Sequence, residues 1–84
     1  IVVGTAPRAV AVRADGEVWV TNKSSSSISV VDSASLAVTR TIALPFASQP
    51  FGIVADPTGD AMYVALEALG RVLKLDAATG AVLG

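Results

Sequence analysis

The chain is written twice. PRAVAVRADGEVWVTNKSSSSISVVDSASLAV, from Pro7, is answered by PFGIVADPTGDAMYVALEALGRVLKLDAATGAV, from Pro50. Pro7 pairs with Pro50 and Gly16 with Gly59, 43 residues apart. One extra residue near Asp60 moves the offset to 44, which pairs Val20 with Val64, Ile28 with Val72 and Asp32 with Asp76. Both copies consist of short β-favouring runs separated by tight turns, and repeats of about 40–50 residues with that texture make four-stranded propeller blades.

The expected architecture is all-β: two four-stranded antiparallel blades of a β-propeller, an incomplete ring within residues 1–84. Residues 1–6 read as the end of a preceding outer strand, 7–46 as blade one, and 47–84 as blade two with an incomplete outer strand. In blade one the strands are placed at Ala9–Arg13, Glu17–Asn22, Ser27–Val31 and Ala37–Leu44. In blade two they are placed at Phe51–Ala55, Ala61–Leu66 and Arg71–Leu75, with Ala81–Gly84 starting the last. Gly16 and Gly59 sit where a hairpin needs positive φ. Helix propensity competes over Ala61–Leu69, rich in Ala, Met, Leu and Glu. The repeat overrules it, because the partner segment VWVTN is β-branched and aromatic.

Hydrophobic residues make up 52% of the chain and charged ones 15%, yet the apolar residues come in short runs. None approaches the ~18 residues of a membrane span, so no membrane insertion is expected. Such runs suit strands buried on both faces between neighbouring blades. Two blades alone leave two such faces in water, so the chain is expected to associate, either with further blades of a longer parent or with identical copies closing a ring. The six cations are scattered and the net charge is −1, which argues against a nucleic-acid partner. Few charges with abundant Ser, Thr and Ala suit an extracytoplasmic protein, whether periplasmic, cell-surface or secreted.

VWVTN (18–22) followed by ISVVD (28–32) resembles the YVTN-type β-propeller repeat family. Trp19 stands where that family often has Tyr, and Val20-Thr21-Asn22 match. The second copy keeps Tyr63-Val64 but carries Ala65-Leu66 in place of Thr-Asn. NHL-like and streptogramin-lyase-like propellers share the P…DG…(W/Y)V pattern, whereas the WD40 signature and the kelch double glycine are missing. The resemblance implies a scaffold in many members and an enzyme in others. Lyase-like members rely on histidine, and this chain has neither His nor Cys.

The chemistry-bearing residues have plain structural readings. Asp32 and Asp76 occupy equivalent turn positions and are expected to accept backbone N–H bonds there. Asp56 and Asp60 flank Pro57-Thr58-Gly59 without the alternating oxygen donors of a calcium loop, so no metal and no cofactor is assigned. Ser24–Ser27 lack an activating histidine within the chain and read as a polar loop. Trp19 and Tyr63 read as core between blades.

Candidate ligand-binding residues follow from propeller geometry. Loops approaching the innermost strand and loops between the second and third strands share one face near the channel. Arg8, Gln49 and Phe51 belong to the first set, and Asn22, Lys23, Glu67 and Arg71 to the second. The expected function is a non-catalytic scaffold or binding module that presents loops to a protein or small ligand. The competing expectation is a segment of a lyase- or lactonase-type propeller enzyme with its catalytic residues elsewhere, or a self-assembling repeat unit.

Overall fold

A computed structural model describes residues 1–84 as seven strands and no helix. Strands β1 (Pro7–Val12), β2 (Glu17–Asn22), β3 (Ser27–Asp32) and β4 (Ala37–Ala43) form one antiparallel sheet in chain order. Strands β5 (Pro50–Ala55), β6 (Ala61–Leu66) and β7 (Arg71–Asp76) form a second. Val82 adds a single isolated bridge to Leu75 at the edge of this second sheet. The segment of strong helix propensity is strand β6, so tertiary pairing with β5 and β7 overrides local preference. Gly16 and Gly59 turn the first hairpin of each sheet with φ of 92° and 82°, a region that costs glycine nothing.

Residues 1–6 form no strand. Strand β4 ends at Ala43, so by the repeat offset Ile1–Ala6 corresponds to the loop Leu44–Gln49 rather than to a strand end. The segment instead lies along blade one, where the Thr5 N–H donates to Ser25 Oγ at 3.1 Å.

The two sheets share one core. Alternation along the strands sends Trp19, Ile28 and Val30 of blade one to the same cluster as Met62, Val64, Leu66, Leu73 and Leu75 of blade two. Trp19, Ile28, Val30, Met62, Val64 and Leu75 have no exposed surface. Each contributes about 1.5–3 kcal/mol by leaving water. The innermost strands β1 and β5 lie side by side, with β2 against β5.

Polar groups lock this seam. Thr21, fully buried, donates from Oγ1 to the Phe51 carbonyl at 2.7 Å and accepts the Ala9 N–H at 3.1 Å. Arg13 donates to the Gly59 carbonyl at 2.8 Å, and Arg40 to those of Ala77 and Ala78 at 2.9 and 3.1 Å. Glu17 holds both guanidinium groups and accepts the Trp19 indole N–H at 3.1 Å. Trp19 is therefore core, as expected. Tyr63 is only half-buried: it faces away from blade one and donates its hydroxyl to Asp56.

Candidate functional site

One end of the sheets is shaped by a backbone device that occurs in both blades. Ala6 and Gln49, each just before a proline, adopt φ of 54° and 52°. A following proline disfavours the right-handed helical region, and the left-handed turn here aims two successive carbonyls across the sheet. Thr5 and Ala6 accept N–H bonds from Ser24 and Lys23 at 3.2 and 2.9 Å. Ser48 and Gln49 accept those of Ala68 and Glu67 at 3.1 and 3.0 Å. The β2–β3 and β6–β7 turns are thereby fastened to the loops that lead into β1 and β5, and equivalent side chains emerge at equivalent places.

Across the seam those side chains meet. Lys23 Nζ donates to Glu67 Oε1 at 3.0 Å and stands 5.8 Å from the centre of the Phe51 ring. The pair is partly exposed, so it contributes at most about 1 kcal/mol to stability; its effect is to fix where the charges lie. Gln49 lines a cleft of about 300 Å³ with Lys23, Ser24, Ser25, Ser26, Phe46 and Ala47. Phe46 is 97% exposed at its rim. Arg8 and Arg71 are exposed at the same strand ends, and neither takes part in an ion pair.

Asn22 does not join this group. It is fully buried, with Nδ2 donating to Ser27 Oγ at 3.2 Å and Ser29 Oγ at 2.9 Å, while Oδ1 has no protein partner. The reason is its position as the last residue of β2, where period-two alternation turns it to the outer face beneath Gly4 and Ser25. Ser27 is likewise a buried strand residue and not part of the polar loop.

The opposite end of the sheets uses its carboxylates to build turns. Asp15, Asp32, Asp56 and Asp76 each accept, through Oδ1, the N–H two residues further on, at 2.9–3.0 Å. Asp56 also accepts the Thr58 and Tyr63 hydroxyls, and these bonds, led by the Thr58 N–H, hold its carboxyl below the usual aspartate range. Partial burial pushes the Glu17 carboxyl up. Bonds from Trp19 and Arg13 with the charge of Arg40 outweigh this, leaving it below the ordinary 4.5. A cleft of about 360 Å³ lies here, bordered by Arg13, Asp60, Asp76 and Leu83.

Sequence reasoning did not single out Arg13, Glu17 and Arg40. The repeat gave no signal for them, because their equivalents are Asp56, Ala61 and Gly84. Their lack of symmetry was itself the available clue.

No protein-family model and no curated protein matches the chain. Its fold is similar to the crystal structure of selenomethionine-substituted virginiamycin B lyase from Staphylococcus aureus, a β-propeller, with a TM-score of 0.77 and 21% identity. The match covers 90% of this chain and 25% of that one, so the chain spans a quarter of the length of that protein. The chain has the fold of a β-propeller fragment, with one four-stranded sheet and one of three strands.

Proposed function

We propose that this chain is a non-catalytic recognition segment of a YVTN-type β-propeller, presenting the Lys23–Phe51–Glu67 end to a protein or small ligand. The convergence of Lys23, Gln49, Phe51 and Glu67 at one end carries the reading. Lys23, Gln49 and Phe46 line a small open cleft, and Lys23 links it to the Glu67 carboxylate and the Phe51 ring beside it, with no nucleophile–base pair among these side chains. These side chains differ between the blades while the backbone clamp beneath them is repeated, which separates scaffold from variable surface. The reading extends to an extracytoplasmic setting on composition alone.

The competing reading is a propeller enzyme whose catalytic groups lie in other blades. Likeness to a lyase at 21% identity concerns the fold, and the carboxylates at the opposite end are held in turns.

Amide chemical-shift mapping with a set of aromatic carboxylates, N-acetyltryptophan among them, tests the proposal. Shifts should gather at Lys23–Ser26, Phe46–Phe51 and Glu67 and vanish in the Lys23→Ala/Phe51→Ala double variant. Shifts confined to the Arg13–Asp76 end, or none in this group, would overturn it.

A further inference from the structure

The seam inside the chain is built on one cross-strand row. Ala11, Trp19, Val30 and Arg40 are register partners from β1 to β4. The repeat places Val54, Tyr63, Lys74 and Gly84 in the same row of blade two. Val54, Tyr63 and Lys74 are in register, and the Lys74 N–H donates to the Gly84 carbonyl at 3.0 Å. This second row faces away from blade one and is uncovered. Val54 and Val72 are 60% and 65% exposed beside an apolar groove of about 380 Å³ that Tyr63 and Ala65 also line.

Every donor that latches the internal seam has been replaced on this outer face. Ala65 stands for Thr21, Asp56 for Arg13 and Gly84 for Arg40. Val30, which has no exposed surface, becomes Lys74, exposed, 6.0 Å from the Tyr63 ring centre and in no ion pair. We infer that the outer face of blade two is completed by a non-identical sheet that presents a free carboxylate to Lys74, and not by a second copy of this chain.

A second copy would bring the outer face of its blade one: Val10, Val12, Val20 and Val31, the equivalents of Ile53, Ala55, Val64 and Leu75 that pack in the internal seam. That face has valines but no acid to spare. Asp15 is engaged by Arg13 and the Glu17 N–H, Glu17 by Arg13, Arg40 and Trp19, and Asp32 by Ala34 and Ser35. Closing two copies would seat the Lys74 ammonium where Val30 is buried. Only Asp56 of its own blade acts on it, at a distance, and that carboxylate is already bonded to Thr58 and Tyr63. A buried charge without a direct partner is strongly disfavoured.

Native mass spectrometry and sedimentation of the 84-residue chain, with circular dichroism to confirm folding, test this. The wild-type chain should form no discrete trimer or tetramer. Val12 is 65% exposed, so Val12→Glu should keep the fold. It should strengthen self-association about tenfold at low salt, lose that gain near about 0.5 M salt, and be reversed by adding Lys74→Glu. Lys74→Val alone should also strengthen association. A discrete closed ring of wild-type chains would overturn the inference. So would Val12→Glu associating no more tightly than wild type, or a gain that survives Lys74→Glu.

Discussion

Thr21→Val removes one hydroxyl from the seam and almost no volume. In the wild type that oxygen donates to Phe51 O at 2.7 Å and accepts from Ala9 N at 3.1 Å, in a residue with no exposed surface. Each part-buried backbone group left without its partner costs about 1–2 kcal/mol, giving about 2–4 kcal/mol together. For a domain of this size that lowers the melting temperature by about 10–30 °C. Trp19, the single tryptophan, is itself buried in the seam, so its fluorescence during urea or thermal unfolding reads the joint directly. Thr21→Ser keeps the hydroxyl and should recover most of the loss. Thr39→Val, which removes an exposed hydroxyl bonded to the Val30 carbonyl at 3.2 Å, should stay within about 0.5 kcal/mol of wild type. A Thr21→Val chain within about 0.5 kcal/mol of wild type, and no less stable than Thr21→Ser, would refute the account of the seam.

Other perturbations separate its remaining parts. The folded-state pKa of Glu17 is lowered, so its contribution is fully present above the ordinary 4.5 and is lost as pH falls through the folded value; urea midpoints should show a smaller acid-side loss in Glu17→Gln than in wild type. Gly80→Ala and Gly59→Ala both place a Cβ at positive φ, but only at Gly80 does it meet Ile42, at 2.9 Å. Chemical unfolding should show about 1 kcal/mol lost at Gly59 and clearly more at Gly80. Gly4→Ala would bring a Cβ within 2.6 Å of Asn22 Cγ and Ser25 Oγ. Hydrogen exchange should then quicken at Thr5 and Ser24, as the segment lifts, with β5–β7 unchanged.

The strands were legible because the repeat supplies two readings of every element. Ala61–Leu66 is the instructive case: its own residues favour helix, and only the comparison with Glu17–Asn22 identifies it as β. The loop end was legible in the same way, since Lys23, Gln49, Phe51 and Glu67 follow from which connections share an end. Asn22 was misplaced by one residue of alternation, as a strand end reads as loop in a sequence but its side chain still obeys the pleat. The Arg13–Glu17–Arg40 latch was legible only as a break in the repeat's symmetry, not as a set of contacts. Three of its partners are backbone carbonyls of the other blade, at Gly59, Ala77 and Ala78, and a carbonyl leaves no trace in the identity of its residue. Tyr63 shows the limit of arguing by equivalence: it occupies the position of Trp19 but faces the uncovered side.

The central claim is that the two copies of the repeat pack face to face through one core, with their loop ends aligned. Methyl and indole cross-peaks in a nuclear Overhauser spectrum of the folded chain test it most directly. The account predicts peaks linking Trp19, Ile28 and Val30 to Met62, Val64 and Leu75. Cross-peaks confined to residues 7–43 on one side and 50–76 on the other would contradict it.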